Sequence, residues 1–491
     1  MFLRREVRSL EDDTLKYYAV AVQAMKERSP TDHTSWWYQA AIHGSEESPR
    51  PLYNQCIHGS WYFPPWHRMY LYYFERIVRD AVIQNGGPED WALPYWNYGI
   101  DAAHASMPEA FYKPAGEANP LYVQQRRQGT SPTRPGINEG GRIPQQIGSD
   151  GLALACEIYP GTLPRQLGGG TTKPRFKWSE AGQLEELPHN LVHDAIGGGG
   201  WMSSFEQAAK DPIFWLHHCN IDRIWAQWNG PAEASHPNPD DPTWRGQKFK
   251  FFDVDGSEVT RSVSEVLDIE ANLDYTYDVL PSPRPEDPKP AAPPDSPPAE
   301  EEVEPVVAGA ADGDPKVVAA SEEPVTLTGE AEAVPVAIDD RAQEEVQEAS
   351  RRSDPRRLYL NIENIEGETN PGTMYGVYLN LPENPDEEAL EKHYAGAVSF
   401  FGIEHGKDPR KDEGAHQLRY VLEVGELLRN LGNGEEYGEG DVKVSFRPLG
   451  LEPPKATAKE GRRAAMAAPA VPAPADEPPV EIGRVSLSVG E

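Results

Sequence analysis

The chain has 491 residues, enough for two domains with full cores. Its formal charge of −33 argues against a nucleic-acid partner, which rewards a basic surface, and no apolar run is long enough to span a membrane. The start MFLRREVRSLEDD has neither a hydrophobic signal core nor a twin-arginine signal with its apolar region, and there are three cysteines, so the expected location is cytoplasmic by default if residue 1 is the native start.

In chain order, HTSWWYQAAIH predicts a helix closed by His43, with Gly44 as its stop. His58 and His67 in CIHGSWYFPPWHR are nine apart, which on one helix would set them on opposite faces. Pro64–Pro65 removes the difficulty, because proline belongs in a first turn and starts a new helix there. His67 then points inward, with Leu71, Phe74 and Val78 below it. Further on, His189 and His193 in PHNLVH are four apart, one turn along the same helix face. In DPIFWLHHCNIDRIW the neighbours His217 and His218 stand roughly 100° apart around a helix, so only one readily faces a metal.

A lone histidine beside tryptophans is as a rule a hydrogen-bonded core residue. Six in two segments, each followed by an aromatic-rich amphipathic helix, point to two facing metal ions. All-imidazole coordination suits copper, zinc, iron or nickel, whereas magnesium, calcium and manganese prefer oxygen. His33, His104, His236, His393, His405 and His416 lack such context and are expected at the surface or behind the site.

The segments CIHGSWYFPPWHRMYLYYFERIV, WALPYWNY and DPIFWLHHCNIDRIWAQW resemble the signatures of the tyrosinase and polyphenol oxidase family, the type 3 copper enzymes. The match runs from about residue 4 to Tyr275–Tyr277, a triplet similar to the motif that closes the family's catalytic domain. The resemblance implies a mainly-α four-helix bundle around two copper ions, with O2 as cosubstrate. One copper would be held by His43, His58 and His67, the other by His189, His193 and His218, leaving His217 behind the site. Cys56, two before His58, stands where fungal relatives and molluscan haemocyanins form a thioether to the imidazole; an ordinary buried thiol is the alternative. One of Arg4, Arg5 and Arg8 is expected to stack on the closing tyrosines.

The implied reaction is oxidation of o-diphenols to o-quinones. Hydroxylation of monophenols demands more, since a free phenol with pKa of about 10 must lose its proton. The family's monophenol hydroxylases use an asparagine and a glutamate that hold a water. Asn190 occupies the asparagine position, and LEELPHN offers Glu185 or Glu186, the spacing favouring Glu185. Phe205, thirteen before His218, corresponds to the phenylalanine gate of plant enzymes, which restricts bulky phenols. Asp194, directly after His193, would disfavour acidic phenols and help those bearing an amine.

Composition changes midway. All twelve tryptophans and three cysteines precede residue 245, and no aromatic side chain lies between Tyr277 and Tyr359. We divide the chain into a catalytic domain over 1–280, a flexible acidic Pro-rich linker over 281–315, exposed and readily cut, and a C-terminal domain over 316–491. The runs VTLTG, AVPVAI, RLYLNIENI, YGVYLNL, GAVSFFGI, LRYVLEV, DVKVSF and RVSLSV predict an all-β sandwich, interrupted by a Pro/Ala-rich loop at 453–480. This half resembles the C-terminal domain of plant polyphenol oxidases, which covers the copper pocket. The implied enzyme is latent, with an activating protease as partner and Met374, Tyr375 or Phe400 as candidate plugs. Two other functions fit the same site: a haemocyanin-like O2 carrier and an o-aminophenol oxidase.

Overall fold

The computed structural model describes residues 1–280, 315–404, 418–432, 440–454 and 478–490, apart from positions 12, 48, 132–133, 161–165, 172–180, 231–234 and 352–355. The expected linker at 281–315, Pro315 excepted, and most of the 453–480 loop lie outside the described residues, as do His405 and His416.

Five helices frame the first half: α1 (Thr14–Glu27), α2 (Trp36–His43), α3 (Phe63–Gln84), α4 (Leu191–Gly197) and α5 (Pro212–Asn229). Local chemistry fixes their ends. The Ser35 hydroxyl accepts from the Tyr38 N–H at 3.2 Å to start α2, and Gly44 ends it. No side chain fits at Gly44, because a Cβ would lie 2.2 Å from the Phe205 carbonyl oxygen. Pro64 and Pro65 occupy the first turn of α3, as their missing N–H groups allow, and Leu71, Phe74 and Val78 are buried beneath His67. Asp211 caps α5 by accepting from the Ile213 N–H at 3.0 Å, ahead of Pro212. The same carboxylate grips Arg126 in a fork at 2.8 and 2.7 Å, tying a long loop to the start of the helix.

One expectation fails in detail. His189 and His193 do not share a regular helix: residues 185–190 form a wide turn in which Leu187 is extended (φ −143°, ψ 120°), and α4 begins only at Leu191. Pro188, which cannot donate to the preceding turn, accounts for the break. The two rings converge nonetheless, with centroids 4.5 Å apart.

The chain start closes the first half. Strand β1 (Phe2–Arg4) pairs in parallel with β2 (Tyr275–Tyr277). Of the three arginines considered, Arg4 is the one on the tyrosines, 3.6 Å above the Tyr275 ring. Its guanidinium reaches Glu75 on α3 at 2.6 Å and Asp222 on α5 at 3.2 Å. Asp222 also accepts from Arg68 at 2.6 Å and from the hydroxyls of Tyr275 and Tyr277, each at 2.6 Å. These donors hold its carboxyl below the usual range against the effect of burial. This buried network, in which Arg68 Nη2 has no hydrogen-bond partner among the described residues, locks α3 and α5, the helices that carry His67, His217 and His218, to the chain start.

The second half contains the strands β3 (Lys316–Ala320), β4 (Val325–Leu327), β5 (Glu332–Val336), β6 (Arg357–Gly367), β7 (Met374–Leu379), β8 (Tyr394–Val398), β9 (Leu418–Glu423), β10 (Val442–Leu449) and β11 (Val480–Gly490). They form a sheet in the order β9–β6–β11–β3, with β4 also on β11, and a second sheet β8–β7–β10–β5. Both sheets feed one apolar core that includes Leu360, Ile362, Val377, Phe446 and Leu487. The half is not all β: α6 (Asp340–Ser350), α7 (Glu387–His393) and α8 (Gly425–Leu431) are interposed. In α6 only Ala342, Val346, Ala349 and Ser350 are buried, a stripe at helical spacing that its acidic composition hides.

Strand β7 joins the halves. All six of its residues are buried, Met374 in the core of the first half and Tyr375, Val377 and Leu379 in that of the second. Alternation by two sends successive side chains to opposite faces, so a strand buried on both sides belongs to two cores at once.

Candidate metal centre

Helices α2, α3, α4 and α5 and the segments before α3 and α4 deliver seven histidines to one buried place. The ligand atoms of His43, His67 and His218 lie within 4.8 Å of one another, as do those of His189, His193, His217 and His218, and those of His43, Cys56 and His58. The three groups overlap at His43 and His218, so the set is continuous. The His67 and His218 rings stack at 4.6 Å across it.

Hydrogen bonding gives four of these rings a common orientation. His43 Nδ1 lies 3.0 Å from the Phe205 carbonyl oxygen, His67 Nδ1 2.9 Å from that of Phe63, and His193 Nδ1 2.7 Å from that of Met202. His189 Nδ1 meets the Asn190 side-chain oxygen at 2.8 Å. A carbonyl accepts only, so Nδ1 carries the proton and Nε2 keeps its lone pair. Nε2 of His67 and of His189 has no hydrogen-bond partner among the described residues, although both side chains are buried. The Nε2 atoms of His193 and His218 sit 3.2 Å apart. Buried lone pairs that converge without donors are what a metal ion satisfies.

Burial, followed by the neighbouring imidazoles, pushes the pKa of His58, His67 and His218 well below the ordinary range. His189 falls to about 3 for the same first reason, with its bond to Asn190 opposing. Neutral imidazole is the form that binds metal. The donor set is nitrogen only, apart from the Cys56 sulfur beside His43 and His58, and such a set fits copper.

His217 was expected to be turned away from the site, yet its ligand atom lies with those of His189, His193 and His218. Its Nδ1 is 3.0 Å from the Tyr98 hydroxyl, a side-chain partner, where His43, His67 and His193 have backbone carbonyls.

Other predicted residues also gather here. Glu185 is 1% exposed, and both carboxylate oxygens lie 2.9 Å from the Gly59 N–H, next to His58. Burial raises its pKa well above the usual range. The Phe205 ring packs 4.4 Å from the His58 ring. Cys56 is half-buried and in no disulfide. Of the remaining histidines, His33 is stacked on Phe252 at 3.9 Å.

The residues that sequence reasoning missed come from the second half. The Phe401 ring stacks on His193 at 4.1 Å and 17°, lies 4.5 Å from Phe205, and stands 5.7 and 6.2 Å from His189 and His58. None of the three plug candidates occupies that place. Met374 packs into the first core, and the Tyr375 hydroxyl accepts from the Gly329 N–H. Phe400 contributes its backbone, donating to Asp194 at 3.0 Å. Asp194 also accepts from the Asn370 side chain at 2.7 Å, so the residue expected to meet substrate is held by the C-terminal half. Arg127 adds a bond to the Gly372 carbonyl. Gly372 (φ +74°) fits so closely that a Cβ would lie 2.1 Å from the Gly199 nitrogen. In sequence, Asn370, Pro371 and Gly372 read only as a turn, and Phe401 only as part of a strand run beside the plug candidate Phe400.

The model of the common central domain of tyrosinase matches residues 33–150 and 163–230. Tyrosinase HcTyr1 of Hahella sp. (strain CCB-MM4) is 32% identical over 482 residues, spanning 91% of this chain and 95% of that one. This chain belongs to the tyrosinase family. Polyphenol oxidase II of Ipomoea batatas, a chloroplastic protein, is 26% identical over 465 residues, spanning 88% of this chain and 72% of its own. Among solved structures, latent apple tyrosinase superposes with a TM-score of 0.57 at 21% identity, over 100% of this chain and 97% of that one, a likeness of fold alone. Residues 314–462 match a domain family of unknown function. The protein is thus an enzyme of the tyrosinase and polyphenol oxidase family, a copper oxidase of phenols, with a helical core and a β-rich C-terminal region. No helix among the described residues is long and apolar enough to cross a membrane.

Proposed function

We propose that the protein is a latent enzyme that oxidises o-diphenols to o-quinones with O2 and also hydroxylates monophenols. In this reading the helices carrying the histidines form a four-helix bundle within a catalytic domain over 1–280, the segment 281–315 is a cleavable linker, and 316–491 is the lid. One copper is held by His43, His58 and His67, and the second by His189, His193 and His218. His217, tied to Tyr98, supports the second set from behind. The observation that carries the assignment is the shared orientation of the His43, His67, His189 and His193 rings, Nδ1 committed to fixed acceptors and Nε2 left for a metal.

Copper, when bound, supplies the redox chemistry between phenol and dioxygen. The chain's own groups do the rest. Carbonyls of Phe63, Met202 and Phe205 fix the imidazoles so that little reorganisation is needed. Glu185, kept basic by burial, takes the phenolic proton through a water, and Asn190 orients His189 beside it. Phe205 limits the size of the ring that enters and stacks on it. A thioether from Cys56 to His58 would freeze that imidazole and remove a competing thiol. Phe401 fills the space in which a phenol would stack on His193, and it excludes both substrate and water.

Oxygen uptake with tyramine and with dopamine, on the intact chain and on chain cut in 281–315, tests the reading. We expect low uptake before cutting and turnover of both substrates after it. Equal rates before and after cutting reject latency. No uptake in either form makes the protein an oxygen carrier. Turnover of dopamine alone rejects monophenol hydroxylation.

A further inference from the structure

The seam between the halves encloses a second cavity of about 330 Å3, lined by none of the seven histidines. Its walls are apolar and come from both sides: Leu152, Leu187 and Leu191 from the first half, and Tyr394, Val421 and Leu422 from the second. The volume is at the small end of ligand pockets, roughly 300–1,000 Å3, enough for a molecule with one ring.

Among the described residues its ionisable lining is acidic. Glu186 lines the interior, is only 6% exposed, and its Oε1 has no hydrogen-bond partner among the described residues. Glu157 and Glu423 are exposed at the rim, the latter also 3.4 Å from Arg357. No lysine, arginine or histidine lines the cavity among the described residues. Burial, and then Glu185, raises the Glu186 carboxyl well above the usual range, while Arg419 opposes the shift from outside the cavity. Alone, a buried carboxyl of this kind stays neutral; an ammonium ion beside it would let it ionise and would satisfy the unpaired Oε1. Tyr394 and Tyr420 add aromatic faces that favour one.

We propose that this cavity binds a small organic ammonium ion, an aralkylamine with its charged head on Glu186 and its ring among the leucines and Val421, and that the ligand holds the two halves together. The direction of the coupling follows from linkage. A site with walls on both halves is complete only while they are docked, so its ligand favours the docked state. The coupling rests on the latency reading above, whereas binding does not.

The test is calorimetric titration of the copper-loaded full chain with 2-phenylethylamine and with its neutral counterpart 2-phenylethanol. Neither has the ring hydroxyl needed for turnover. We expect saturable 1:1 binding of the amine and at least tenfold weaker binding of the alcohol. Glu186→Gln should weaken the amine at least tenfold. Leu152, 59% exposed, can change without disturbing the core, so Leu152→Lys, which sets a cation at the rim, should do the same in a folded chain. Absent binding, equal affinity for amine and alcohol, or unchanged affinity in Leu152→Lys overturns the site. Saturating amine should also slow release of the C-terminal half from chain cut in the linker, and an unchanged release rate overturns the coupling. Failure of latency would look different, as equal activity of intact and cut enzyme with the amine still bound.

Discussion

Truncation of Phe401 is the sharpest perturbation of the proposed lid. Its ring is fully buried, stacked at 4.1 Å on His193 and 4.5 Å from Phe205. With the lid open the ring meets water, so its loss costs little there. With the lid closed, Phe401→Ala forfeits burial and leaves a cavity, about 3–5 kcal/mol for a core phenylalanine. At 1.4 kcal/mol per decade, the closed-to-open ratio falls by roughly 10² to 10³ or more. The assay is oxygen uptake with dopamine by the intact chain, expressed as a fraction of uptake by the same variant after cleavage in 281–315. For wild type we expect a small fraction. For Phe401→Ala the fraction should approach one, while the cleaved forms of the two proteins stay within a few-fold of each other. A folded, copper-replete Phe401→Ala that remains as repressed as wild type would refute the placement of the plug.

Three other outcomes are expected. Glu185→Gln removes the buried base beside Gly59, so tyramine hydroxylation should fall by about 10²–10⁴ while dopamine oxidation changes far less; parallel losses would show that Glu185 has no special part in deprotonation. Intact-protein mass should lie two hydrogens below the sequence mass and return to it in Cys56→Ser, whereas a wild-type mass equal to the sequence value excludes the thioether. Asp222→Asn leaves buried Arg68 without its carboxylate and Arg4 with Glu75 alone, and should cost about 3–5 kcal/mol in denaturant unfolding, with a fall in copper content; a loss under about 1 kcal/mol would mean that the network is dispensable.

Much of the centre was legible because metal ligation and helix starts leave local marks. Pro64–Pro65 placed His67 in a first turn, and Gly44 marked the end of α2, although its reason, the close approach of the Phe205 carbonyl, is tertiary. The strands of the C-terminal half followed their alternation of apolar residues, and α6 escaped because acidic side chains surround a stripe of two alanines, a valine and Ser350. The break before α4 is a local effect of Pro188 that helical spacing alone overrode. Contacts between halves were the least readable. Phe400 and Phe401 are adjacent and equally apolar, and only the strand's exit direction decides which ring meets His193 and which backbone meets Asp194.

The central claim is a pair of copper ions bound through imidazole Nε2 atoms. Anomalous diffraction at the copper edge from crystals of the metal-loaded protein tests it most directly. The account predicts two peaks about 3.5–4 Å apart, one bounded by His43, His58 and His67 and the other by His189, His193 and His218. A single peak, or one with His217 in place of His218, would contradict it.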